Sequence, residues 1–167
     1  MYRVLTDSTG RDLWYRALQS DTTPEPFDFT RADETMPRFS PNGRWVASVS
    51  NESGSPEVFV RPFPDPGGRT RMSAGGGTEP VWAHDTRRLF YLTGNDLMAA
   101  TLAISTELTA TSRERILTAD VAPGSIHANY DVAKDGRHFL MERNACGATD
   151  LTIVLNWMAR ARTRIGQ

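Results

Sequence analysis

A strand–turn–strand unit that recurs along the chain restricts the fold more than any other feature. It is clearest in PRFSPNGRWVASVSNESGSPEVFVRPF, residues 37–63. Pro41 presets φ at the second position of a tight turn, with Ser40 suited to the first and Gly43 to the last. The strand that follows places Trp45, Ala47 and Val49 on one face and Val46 on the other. After the polar loop NESGSP comes EVFVRPF, again short and rich in β-branched and aromatic residues. The same order returns in EPVWAHDTRRLFYLTGNDLMAATL (79–102), where AHDT replaces SPNG. It returns once more in NYDVAKDGRHFLMERNACGATDLTIVLNW (129–157), with the turn AKDG. At the amino terminus YRVLT, DSTGR and DLWYRAL match the second and third strands only.

Phe39, Trp82 and Val132 hold equivalent positions and lie 43 and 50 residues apart. A period of roughly 40 to 50 residues with several short strands per unit is that of propeller blades. Between the copies EPFDFT (25–30), RTRMS (69–73) and ERILTADV (114–121) supply fourth strands. The expected fold is therefore all-β, a partial β-propeller of about four antiparallel blades at about 2–30, 36–73, 79–121 and 127–157. The first and last blades are incomplete, and a short helical or irregular tail covers 158–167. Strands packed between blades are buried on both faces, which explains the mixed apolar runs RLFYL, HFLM and LTIVL. Trp14, Trp45, Trp82 and Trp157 fall on strands, where they fill space between blades.

FSPNGRWVASVSNESGSPEVFVRPF and GGGTEPVWAHDTRRLFYLTGNDLMA resemble the WD-like propeller repeats of the TolB family, whose usual turn is close to F-S-P-D-G-R. The ending DLTIVLNWMA resembles the closing segment of TolB-like propellers attached to bacterial serine/threonine kinases. Asn42 replaces the family's turn acid, and AHDT lacks both Pro and Gly; only AKDG keeps Asp-Gly. The family's propellers generally have more blades, so the resemblance implies one of three things. The chain is the carboxy-terminal part of a larger propeller, a truncated frame without independent function, or a subunit that completes a ring by self-association.

The resemblance implies a non-catalytic interaction or sensing module, the regulatory portion of a kinase-linked protein. The alternative it leaves open is a substrate-filtering accessory propeller of a hydrolase or peptidase. No Gly-rich phosphate loop, His-Arg-Asp or Asp-Phe-Gly segment occurs, so no phosphoryl transfer is expected. No Gly-x-Ser-x-Gly elbow occurs; RMSAGG around Ser73 comes nearest, with Arg71 in place of the first glycine, and reads as a flexible connection. His84, His127 and His138 lack metal-ligand spacing, Cys146 is the sole cysteine, and neither cofactor nor metal is expected. A net charge of −1 offers no field for nucleic acid, and no run of about 20 apolar residues is available to insert in a membrane. The start MYRVLTDSTG is unlike a signal peptide. The expected compartment is cytoplasmic for a complete chain and extracytoplasmic for part of an exported parent. Arg160, Arg162 and Arg164 read as a solvated terminus.

In a propeller, the loops entering the inner strands meet at one rim of the central channel, a common place for binding. Here those segments are RADETMPRF, GGGTEPVW and GSIHANYDV. They bring Glu34, Glu79, His127 and Asn129 toward one rim, with Arg31 and Arg38 nearby, as the candidate site for a protein or small-ligand partner.

Overall fold

The computed structural model describes residues 1–6, 10–18, 22–65, 67–104, 108–118, 127–142 and 153–154, the last two by backbone alone. The tail, Trp157, Cys146 and the tail arginines lie outside the described residues. Four antiparallel sheets follow one another along the chain. The first is β1 (Tyr2–Thr6), β2 (Gly10–Tyr15) and β3 (Glu25–Asp28). The second is β4 (Glu34–Phe39), β5 (Trp45–Ser50), β6 (Glu57–Pro62) and β7 (Thr70–Arg71). The third is β8 (Thr78–Trp82), β9 (Arg88–Thr93), β10 (Asp96–Ile104) and β11 (Leu108–Thr118). The fourth is β12 (Tyr130–Val132), β13 (Phe139–Met141) and β14 (Ile153–Val154). Within each sheet the spatial order equals the chain order. This is the expected all-β partial propeller of about four antiparallel blades. Among the described residues no helix is long and apolar enough to cross a membrane.

Alternation along each strand shares its side chains between two neighbouring sheets. In β5, Ala47 and Val49 pack toward the third sheet with Tyr91, Leu102 and Leu108, while Val46 packs toward the first with Leu13 and Phe27. In β9, Leu89 and Tyr91 face the second sheet, whereas Phe90 and Leu92 join Tyr130, Val132, Phe139 and Met141 of the fourth. Every residue of β5 is buried, including Ser48 and Ser50.

The three hairpin turns close identically despite their different sequences. Gly43, Thr86 and Gly136 donate N–H to the carbonyls of Ser40, Ala83 and Ala133 at 2.9, 3.0 and 2.9 Å. Asn42, Asp85 and Asp135 each accept from the N–H two residues ahead, at 3.0, 2.9 and 2.9 Å. Asn42 thus caps its turn as Asp85 and Asp135 cap theirs. The residue closing each turn has positive φ: 69° at Gly43, 63° at Gly136, and 61° at Thr86, which is β-branched.

Two inner strands also share an irregularity. Met36 (φ 53°) and Glu79 (φ 55°) each precede a proline, and the register with the next strand slips there. These are β-bulges; Pro37 and Pro80 lack the N–H that an unbroken ladder would require.

Candidate functional site

The inner strands β4, β8 and β12 lie side by side, fixed to one another through their bulges. The Glu79 N–H donates to Met36 Sδ at 3.3 Å, and the Asn129 N–H donates to Glu79 Oε2 at 2.7 Å. The Tyr130 hydroxyl donates to the Glu79 carbonyl at 2.8 Å, and Trp82 Nε1–H donates to the Arg38 carbonyl at 3.0 Å. Burial, with the nearby Glu79 carboxylate, holds the Tyr130 phenol far above its ordinary value. It remains a neutral donor at any ordinary pH.

Where the carboxyl ends of β4 and β8 meet the start of β12, a cleft of about 540 Å3 opens. Its walls include Arg38, Phe39, Trp82, His84, Tyr130 and Asp131. Phe39 is 43% exposed although it lies on a strand. Arg38, His84 and Asp131 are exposed, and the Arg38 guanidinium has no hydrogen bond or ion pair among the described residues. Aromatic walls with a few polar groups, one a cation that makes no ion pair of its own, are suited to recognition.

The six rim candidates do not form one group. Arg31 and His127 are exposed on connecting segments. Glu34 and Glu79 are 0% and 1% exposed, so neither carboxylate faces solvent. Glu79 and Asn129 are brought together by the bond described above, whereas only Arg38 lines the cleft. Sequence reading named the segments entering the inner strands and did not name as site residues Phe39, His84, Tyr130 and Asp131, which line the cleft with Arg38. The available signal was an aromatic at the same register position in two copies, Phe39 and Trp82. Ser73 also differs from its reading as flexible: it is 0% exposed, donates to the Glu57 carboxylate and accepts the Val58 N–H at 2.7 Å. A Cβ at Gly77 would fall 2.5 Å from Ser73 Cβ, so the GGG link is tightly packed there.

A second polar cluster, also unforeseen, joins the first and second sheets. Asp28, 1% exposed, pairs with Arg61 at 2.8 Å and lies 3.8 Å from Arg69. Arg69 is 3.9 Å from Glu34, pairs with Glu52 and stacks over the Phe59 ring at 4.5 Å. Glu34 also accepts from the Thr30 hydroxyl at 2.6 Å and the Ser50 hydroxyl at 3.3 Å. Burial pushes the Asp28 carboxyl up against the pull of both arginines. It pushes Glu34 up against the Thr30 hydrogen bond.

No family model and no curated protein matches the sequence. Among solved structures the chain is similar to TolB from Acinetobacter baumannii, with a TM-score of 0.51 at 15% identity over 92% of this chain and 51% of that one. The fold is a TolB-like β-propeller. A structure assigned as a 6-phosphogluconolactonase from Bacteroides uniformis matches with a TM-score of 0.49 at 12% identity, over 92% of this chain and 53% of that one. The chain spans about half the length of both structures. At these identities the similarity is one of fold. Among the described residues of the TolB-like sheets, no three His, Cys, Asp or Glu side chains gather as a metal site.

Proposed function

We propose that the chain is a non-catalytic recognition module and that a protein segment or small ligand binds in the cleft between the carboxyl ends of β4 and β8 and the start of β12. The observation that carries this reading is the placement of Arg38, whose guanidinium makes no ion pair or hydrogen bond among the described residues, in a cleft it shares with the exposed Phe39 ring, Trp82 and Tyr130, with the Asp131 carboxylate on the same lining. A carboxylate next to an apolar side chain fits that arrangement: Arg38 and His84 meet the charge and the rings receive the apolar group. Of the six rim candidates, Arg38 touches the partner in this reading. Glu79 and Asn129 hold the strands that present it, and Glu34 braces the first two sheets.

The test is to pan a displayed peptide library on the protein and titrate the enriched peptides by fluorescence anisotropy. The double variant Arg38→Glu/His84→Ala changes only exposed side chains, so its melting temperature should equal that of the wild type. Its affinity should fall about tenfold or more. Peptides that bind the double variant as tightly as the wild type would remove the cleft as the site.

A further inference from the structure

The cleft carries two opposite charges that do not pair. Arg38 lies near the end of β4 and Asp131 in β12. Both are exposed on the cleft lining, and among the described residues they form no ion pair with each other. Each is held where it stands. The Arg38 carbonyl accepts Trp82 Nε1–H at 3.0 Å, which fixes the main chain from which the guanidinium projects. Asp131 Oδ1 accepts the Val132 N–H at 2.8 Å, and Oδ2 makes no hydrogen bond among the described residues. The Phe39 ring on the same lining is seated edge-on against Phe63, with centroids 4.8 Å apart and planes at 86°.

The Tyr130 hydroxyl senses both charges. Burial and the Glu79 carboxylate raise its pKa, Arg38 pulls it down, and Asp131 adds to the rise. Both groups thus lie close enough to one side chain of the lining for a single small molecule to reach them.

Opposite charges on one wall select by exclusion. An anion drawn to Arg38 is opposed by Asp131, and a cation drawn to Asp131 is opposed by Arg38. A plain hydrocarbon leaves both charges without a partner. A molecule with one charge of each sign and an apolar group meets all three features.

We infer that the ligand is a zwitterion, a free α-amino acid or short peptide with an apolar side chain. Its carboxylate pairs with Arg38, its ammonium donates to Asp131 Oδ2, and its side chain lies on Phe39. This rests on the cleft being the binding site, and adds to it a place for the ammonium. At about 540 Å3 the cleft suits a small molecule rather than a folded element. Exposed charge pairs are individually weak, so a Kd of about 0.1–1 mM is expected.

The test is a nuclear magnetic resonance titration of isotope-labelled protein with four probes. Two are zwitterions, L-phenylalanine and glycyl-L-phenylalanine. N-acetyl-L-phenylalanine lacks the ammonium, and L-phenylalaninamide lacks the carboxylate. A zwitterion should shift the amides of Phe39, His84 and Asp131 saturably, and each one-charge analogue should bind about tenfold more weakly or worse. The tighter of the two zwitterions separates a free amino acid from a peptide as the source. Asp131→Asn keeps Oδ1 for the Val132 N–H. It should weaken L-phenylalanine about tenfold yet leave N-acetyl-L-phenylalanine unweakened. Lys134→Ala, exposed and outside the cleft lining, should change neither. If Asp131→Asn folds poorly, the comparison of the four probes on the wild type decides alone. N-acetyl-L-phenylalanine binding as tightly as L-phenylalanine overturns the zwitterion and leaves the cleft reading intact. Failure of both zwitterions well above the expected range, or shifts centred on Phe27–Thr30, also overturns it. The cleft itself stands or falls separately, on the displayed peptides and the Arg38→Glu/His84→Ala variant.

Discussion

Glu79 shows how one side chain can do two jobs in a repeat. It occupies a positive-φ bulge before Pro80, and its carboxylate reaches the next sheet to accept the Asn129 N–H. Glu79→Ala leaves that N–H without its acceptor and opens a void, at a cost of about 2–3 kcal/mol. Glu79→Gln keeps an acceptor oxygen and should cost less than half as much; urea unfolding measures both. Glu34 governs a pH response instead. Burial raises its pKa from the ordinary 4.5, and that of Asp28 from 3.8. As pH climbs from those values through the raised ones, the folded protein holds protons that the unfolded chain has released. Stability therefore falls across that interval. Glu34→Gln removes one of the two groups, so the decline above pH 4.5 should be shallower than in the wild type. Urea midpoints across a pH series compare the slopes, and equal slopes would rule out Glu34 as a source.

At the scale of single elements, the turns carry the clearest test. Thr86 closes its turn at φ 61°, where the sister turns use Gly43 and Gly136. A β-branched residue in the left-handed region is strained by roughly 1–2 kcal/mol. Thr86→Gly relieves that strain but gives up a buried methyl of about 0.8 kcal/mol, so a gain of about 0.5–1 kcal/mol in thermal unfolding is expected. Nothing lies within 4 Å of a Cβ placed at Gly43, so Gly43→Ala should cost about 1 kcal/mol through its backbone alone. These turns and the strands they join were legible in the sequence because the relevant forces are local. Proline presets φ, Asn or Asp caps the turn, and alternation marks the faces. The inner-strand face and its candidate cleft were less legible. Glu34 and Glu79 are acidic, lie three residues and one residue before a proline (Glu34 before Pro37, Glu79 before Pro80) and read as loop residues, yet both residues are buried within the inner strands. Nor does any short-range pattern announce that Asp28 and Arg61, 33 residues apart, will meet between two sheets.

For the molecule as a whole, stability is distributed among three inter-sheet clusters of unequal size. The first and second sheets share Leu13, Phe27 and Val46, with Tyr15 and Phe63 packed alongside, and beside them lies the Asp28–Arg61–Arg69–Glu34 cluster. The second and third share thirteen buried residues. In stacked repeats each unit is held chiefly by its neighbours, so the sheet with the smallest apolar interface opens at least cost. Amide exchange should accordingly be slowest in β5 and β9 and markedly faster in β1 and β2. Mass-spectrometric exchange on peptic fragments tests this ordering, and uniform protection across the four sheets would contradict it.

The bonds between inner strands all run one way: a later sheet donates, from an amide, an indole N–H or a hydroxyl, and the sheet before it accepts on sulfur, carboxylate or carbonyl. A unit with its plug on one side and its socket on the other has a direction, like a length of track. Copies join only head to tail, and adding or deleting one whole unit preserves every coupling that remains. Changing the number of units therefore demands no new chemistry at the joints, whereas inverting a single one would break two of them.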